Sequence, residues 1–297
     1  KLEPKSSLVT NPFNMLTALE LLGAENYEID SVTADAIKAD APLLREADKH
    51  ELSRRFTRIL LTRNISGVMA RFPEVFSAIE PELLKAQRYK ERYYDSTLWE
   101  HISKSVEFAP PQADIRYAML FHNVGIPDCR CHDSHGNTFF YGHGEYGRIT
   151  AANFFEKYRV ELKLRSDTDM LIESHDISIT EDRTAVKRLL CEYSHEELKK
   201  LIKLRIADDT AKPTVHEGVI AMYRRTLTML EDIIASGECY SISQLAIKEN
   251  DLITHRLVAN KAQARAVIES LYEAVLVEPS LNVAPILLDM VRKSMRR

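Results

Sequence analysis

Five ionisable side chains stand where helical spacing expects apolar residues or a helix start: His101, His122, His143, His175 and Asp208. His101 follows Leu98 by three and precedes Ile102, and Ser105 continues its face. Ile115, Met119 and His122 fall at i, i+4 and i+7, which turns His122 inward. His175 follows Leu171 by four and Ile172 by three; Asp208 follows Leu201 by seven and Leu204 by four. His143 opens a helix through Gly144 and Glu145. Burying such groups separately costs roughly a few kcal/mol apiece, whereas one divalent ion or one phosphate satisfies several at once. A metal site and a buried hydrogen-bond network both fit this pattern.

A second cluster, Cys129-x-Cys131-His132-x-x-His135, offers four zinc-type ligands in a short run. Its spacing is tighter than the two separated ligand pairs of a zinc knuckle, so a polar surface loop is the reading. The four cysteines are too few and too uneven for a disulfide framework, which points to a reducing, cytoplasmic compartment.

Helices must position these residues. The chain has 297 residues, 45% hydrophobic and 28% charged, with only nine glycines. A typical share of glycine is about 7%, so the scarcity argues for helices joined by short loops and against both Gly-rich hairpins and a Gly-rich phosphate cradle. Helix-start pairs recur at Asp48-x-x-Glu51, Ser194-x-x-Glu197, Thr214-x-x-Glu217, Ser241-x-x-Gln244 and Asn260-x-x-Gln263. Asn11-Pro12 and Gly23 frame a further helix. Strand-like alternation is best at Thr138-Phe139-Phe140-Tyr141, in a loop-like stretch. The fold class is therefore all-α, an elongated multi-helix array. Its expected divisions are 1–65, a connection at 66–95, a central domain at 96–212 and a helical tail at 213–297 that ends in a basic run. A net charge of −4 excludes a strongly basic nucleic-acid coat without excluding one basic face. Arg54, Arg55, Arg58 and Arg63, with Lys199, Lys200, Lys203 and Arg205, are the candidates for such a face. No apolar run suffices for a membrane helix, and the first residues lack a signal-peptide pattern. Because the chain begins at Lys1 and not at Met, it reads as a fragment or a trimmed form.

The order His101, His122-Asn123 with Val124-Gly125-Ile126-Pro127, Tyr141-Gly142-His143-Gly144-Glu145, His175-Asp176 and Ala207-Asp208 resembles the HD domain of many bacterial CCA-adding tRNA nucleotidyltransferases and their poly(A) polymerase relatives. Arg63-Asn64-Ile65 through Phe76, with Pro81-Glu82-Leu83, is similar to that family's link between neck and HD domain. Residues 11–60 resemble its neck, and Cys239 through Ile253, Leu271 through Leu276 and Asn282 resemble its tail. The resemblance implies that 1–65 is neck-like, 96–212 an HD-like domain and 213–297 the tail.

Where this sequence departs from the family, it loses charge. The family's catalytic head, whose paired aspartates hold magnesium, has no counterpart, because the chain begins where the neck begins. The neck motif Glu-Asp-Pro-x-Arg-x-x-Arg, which selects the incoming nucleotide, aligns with Thr10 through Thr17, so Thr10, Asn11, Asn14 and Thr17 form a degenerate nucleotide-binding set. Asn123 stands at the metal-binding aspartate of the HD motif, and a neutral amide is a poorer ligand for a hard cation. His101, His122, Asn123, His143, His175 and Asp208 thus form a remnant HD site whose one implied cofactor is a divalent metal. The expected function is an RNA-binding or interaction scaffold without nucleotidyl transfer of its own. Its partners would be tRNA or another structured RNA, and a nucleotidyltransferase head or other protein. The alternatives are a metal-dependent HD phosphohydrolase and a piece of an active CCA-adding enzyme or poly(A) polymerase.

Overall fold

The computed structural model describes residues 11–24, 27–90 and 97–294. It is all-α, with one short antiparallel hairpin, Cys131–His132 (β1) with Thr138–Phe139 (β2), at the stretch whose alternation was strongest. Among the described residues the chain divides into two compact units: residues 1–177 with 203–220, and residues 178–202 with 221–297. The stretches expected as neck, connection and most of the HD-like domain thus share one unit.

The first unit begins with α1 (Phe13–Ala24), α2 (Ser31–Asp40) and α3 (Lys49–Leu60). Short helices α4 (Ile65–Arg71), α5 (Pro73–Ile79) and α6 (Leu83–Arg88) follow. Next come α7 (Leu98–Phe108), α8 (Ala113–Phe121), α9 (His143–Lys157) and α10 (Leu162–Glu173). Helix α8 is buried along nearly its whole length and packs against α3, α7, α9 and α10, so it is the axis of this unit. Around it lies an aromatic core of Phe56, Phe76, Trp99, Tyr117, Phe121, Phe154, Phe155 and Tyr158. Each such ring contributes about 1.5–3 kcal/mol on burial, and the polar tips are not wasted. Trp99 Nε1 donates to the Met69 carbonyl at 3.1 Å, and the Tyr158 hydroxyl donates to that of Ile79 at 2.7 Å.

Helix starts follow the local sequence in most places. Asp48 accepts from the Glu51 amide at 2.8 Å and Asn260 from that of Gln263 at 3.0 Å. Ser194 with Glu197, and Ser241 with Gln244, form the expected reciprocal pairs. Thr214 is the exception: the helix begins only at Glu217, and the first turn is closed by the His216 carbonyl. Thr97 and Glu100 form a further capping box at the start of α7.

The second unit holds α11 (Arg183–Glu192), α14 (Glu249–Thr254), α15 (Lys261–Val277) and α16 (Ala284–Ser294). Helices α12 (His195–Ala211) and α13 (Glu217–Ser236) contribute residues to both units. Leu252, Ile268, Leu271, Val275 and Leu287 centre the second core. Lys187, 1% exposed, is accommodated there by the Leu276 carbonyl at 3.0 Å and Glu238 at 2.5 Å. Among the described residues no helix is long and apolar enough to cross a membrane.

Arg116 ties three helices of the first unit together. Buried on α8, it donates to the carbonyls of Leu60 at the end of α3 and Thr62 just after it, and to those of Glu107 and Ala109 at the end of α7. These are carbonyls a helix end leaves without intrahelical partners. Replacing Arg116 with Met should lower unfolding stability by about 3 kcal/mol in urea titrations, because several buried acceptors lose their donor. Arg116→Lys should recover only part of this, since an ammonium cannot span both helix ends.

Candidate functional site

His101 lies on α7 and His122 directly after α8. His143 is the first residue of α9, His175 follows α10 in a turn, and Asp208 lies near the end of α12. Five segments thus meet at one place, and the local sequence explains how. Helix α8 stops where Gly125 and Pro127 break it, leaving His122 at its C-cap. Gly142, at φ +83°, turns the chain into α9. A side chain at Gly147 would stand 2.3 Å from the Phe121 carbonyl oxygen, so glycine lets α9 close against the end of α8.

Asp208 Oδ1 lies 3.1 Å from His101 Nε2 and 3.1 Å from His122 Nε2. All three residues are buried. Beside them His143 Nε2 and His175 Nε2 approach to 3.0 Å, with an Asp176 oxygen at 3.5 and 3.3 Å. The ring centroids of His122 and His175 are 5.6 Å apart, so the two groups adjoin. They line a cavity of about 230 Å³ with Asn123, Phe140, Arg205 and Lys212.

Backbone carbonyls determine which nitrogen of three of these rings faces the cavity. The carbonyls of Met119, Phe140 and Ile172 accept from Nδ1 of His122, His143 and His175 at 2.8, 2.8 and 2.6 Å. A carbonyl cannot donate, so Nδ1 carries the proton and the neutral ring presents an Nε2 lone pair. Lone pairs therefore meet lone pairs, His143 against His175 and His122 against the Asp208 carboxylate. Asn123 Nδ2 donates to His122 Nε2 at 2.7 Å.

Burial lowers the pKa of His122 despite the opposing Asp208, and lowers that of His175 to about 4, with His122 adding to the effect. Burial alone would raise Asp208, but the hydrogen bond from His101 and the nearness of His122 outweigh it and hold the carboxyl well below the usual range. Lys212 lies 3.5 Å from Asp208 Oδ2 and also pairs with Asp209; these carboxylates raise its pKa against the effect of burial.

Similarity to known proteins is confined to structure: no family model and no curated protein matches the chain. Its fold is similar to that of a CCA-adding enzyme. The crystal structure of the Bacillus stearothermophilus CCA-adding enzyme in complex with CTP matches with a TM-score of 0.58 at 14% identity. The match covers 99% of this chain and 65% of that one, so the chain spans less than two thirds of that enzyme's length. At this identity the likeness is one of fold.

The residues read as a neck motif have local roles. Thr10 lies outside the described residues. Asn11 caps α1 by accepting from the Phe13 amide at 3.1 Å, and Asn14 is half-buried on that helix. Thr17 accepts from Arg55 at 2.8 Å, and the Arg55 guanidinium lies over the Phe13 ring. Several basic residues proposed for a phosphate-tracking face are matched by carboxylates: Arg54 and Arg55 by Glu51, Arg58 by Glu20 and Lys199 by Glu231. The loop of Cys129, Cys131, His132 and His135 is not among the convergent ligand groups of the described residues. Cys131 Sγ donates to the Phe139 carbonyl instead.

Asp176 and Lys212 are pocket residues that spacing did not reveal as such, and Arg205 belongs in the pocket, 3.2 Å from the His175 carbonyl. Their signal was position: Asp176 follows an inward histidine, and Arg205 and Lys212 flank Asp208 at i−3 and i+4.

In protein treated with EDTA, the His175 ring should titrate near 4 by NMR, below the ordinary 6.5. The unfolded chain then binds the proton more tightly, so the stability present above about 6.5 should fall as the pH drops toward 4.

Proposed function

We propose that this chain is the RNA-binding body of a tRNA nucleotidyltransferase-like protein, and that its histidine pocket serves there as a divalent-cation site for phosphoester chemistry. The observation carrying this reading is the convergence of His101, His122 and Asp208 beside His143, His175 and Asp176, on a fold similar to a CCA-adding enzyme along 99% of the chain. The RNA partner rests on analogy of fold, and the cation on the chemistry of the donors.

The donor set fits a cation. A cation between opposed lone pairs stabilises them, and burial disfavours a proton on His122 and His175. His101, His122 and Asp208 would hold the ion, and His143, His175 and Asp176 offer a second set of the same composition. A divalent cation supplies Lewis acidity toward a phosphoryl oxygen and lowers the pKa of an attacking water. The chain's own residues do the rest. The three backbone carbonyls hold the rings in one tautomer, as outer-shell partners do in metal sites. Arg205 and Lys212 offer positive charge to a phosphoryl oxygen. Asn123 opposes the cation, because its amide hydrogen competes for the His122 lone pair.

That amide favours a second reading, a body that binds RNA without turnover. Metal titration separates the two. Asn123→Asp should bind Mn²⁺ about tenfold more tightly than the natural chain by calorimetry. A chain that binds no Mn²⁺ and hydrolyses no phosphodiester is a scaffold.

RNA binding is checked by gel shift with tRNA at two salt concentrations. A complex at low salt that weakens at high salt is expected. Absence of a complex at low salt removes RNA from the function. For nucleotide addition such a body would need a nucleotidyltransferase head or another protein as partner.

A further inference from the structure

Helices α9 and α10 form an antiparallel hairpin whose turn contains Arg159 at a φ of +53°. On α9, Arg148, Ala151, Ala152 and Phe155 stand at i, i+3, i+4 and i+7, so they form one stripe. Leu162, Arg165, Ser166 and Asp169 repeat that spacing on α10. The two stripes line a cavity of about 370 Å³, within the roughly 300–1,000 Å³ of small-ligand sites. No residue of this lining belongs to the histidine pocket.

Side-chain size explains why the cavity is open. At the end away from the turn, Arg148 closes the gap to Asp169 at 3.1 Å, and Glu145 accepts from its other nitrogens at 2.7 and 2.8 Å. At the turn end stand Phe155, 1% exposed, and Leu162, 76% exposed. Between these ends α9 offers only the methyl groups of Ala151 and Ala152. The α9 wall is therefore apolar, and Leu162 is an apolar lip that the chain leaves to solvent.

Charge indicates what the cavity takes. Arg148 is matched by Glu145 and Asp169, but among the described residues the Arg165 guanidinium has neither a carboxylate nor a hydrogen-bond acceptor. Two arginines against one aspartate leave the lining with one positive charge in excess. A guanidinium receives a carboxylate through two parallel hydrogen bonds, and the Ser166 hydroxyl stands next to it in sequence. A bare anion would leave the apolar wall wet, and a neutral ring would leave Arg165 unmatched.

We infer that the cavity between α9 and α10 binds a small organic monocarboxylate, with its anion on Arg165 and its apolar body against Ala151, Ala152, Phe155 and Leu162. The site is separate from the histidine pocket and does not depend on a cation there.

The test is calorimetry of the full chain, treated with EDTA, with three probes that share parts: benzoate, benzamide with the same ring and no charge, and acetate with the charge and no ring. Benzoate should bind about tenfold more tightly than either. Arg165→Gln should bring benzoate down to the affinity of benzamide while leaving benzamide unchanged. Ala152→Leu should fill the cavity and abolish benzoate binding, with an unchanged or raised Tm showing that the fold is kept. Should that variant fail to fold, Arg165→Gln, at a half-buried position, still decides. Benzoate binding that survives Arg165→Gln lies elsewhere on the protein and overturns the site. Equal affinity for benzoate and benzamide, or no binding of any probe, overturns it as well.

Discussion

The site depends on Arg116. Two of the histidines that face Asp208 belong to different helices, His101 to α7 and His122 to the end of α8, and neither helix carries information about the other's position. The guanidinium supplies it: on α8, it donates to carbonyls at the end of α7 and at the end of α3. Burial lowers its pKa, with nearby Glu107 opposing that effect, but an arginine remains charged under all ordinary conditions. A permanent buried cation surrounded by carbonyl oxygens is costly to move, since every displacement exposes a charge or an acceptor without replacement. The aromatic core fills the space around this joint, but dispersion forces alone tolerate sliding that directional bonds do not.

From that joint the pocket inherits an unusual electronic state. Rings whose Nδ1 protons are committed to the backbone cannot relieve the contact between their Nε2 atoms by changing tautomer. His143 and His175 approach to 3.0 Å under this constraint, and His122 meets a carboxylate under the same one. The helix ends create the condition: His122 and His175 each donate to the carbonyl three residues earlier, in the last turns of α8 and α10. One backbone feature therefore terminates the helix and aims the imidazole.

The legible part of the sequence was the part written in helical period. Leu98 with Ile102, Ile115 with Met119, Leu171 with Ile172 and Leu201 with Leu204 marked apolar faces, and a polar residue on such a face announces itself. His101, His122, His175 and Asp208 are all buried for this reason. Thr214 misled because its pairing with Glu217 is a local pattern, and the chain there starts its helix from the His216 carbonyl. Charge partners were illegible in another way. Arg58 meets Glu20 and Lys199 meets Glu231, separations that no window of sequence connects, so basic residues read as free were already neutralised. Arg205 read as a surface cation because it follows Lys199, Lys200 and Lys203 on one helix, yet the turn after α10 comes to it.

Asn123 gains a meaning from these charges that its chemistry alone does not give. Around the pocket, the carboxylates of Asp176, Asp208 and Asp209 face the cations Arg205 and Lys212, a formal balance of one negative charge apart from the histidines. A divalent ion would reverse that balance to one positive charge, the complement of a phosphodiester. With aspartate at position 123 the ion would leave the pocket neutral, and the anion would have no net charge to meet. An amide in place of a carboxylate would thus weaken the hold on a cation there and strengthen the field that a phosphate would feel. In a low-dielectric cavity one unit of charge at contact distance outweighs a neutral hydrogen bond. The substitution would move the pocket's selectivity from the ion toward the ligand that the ion attracts.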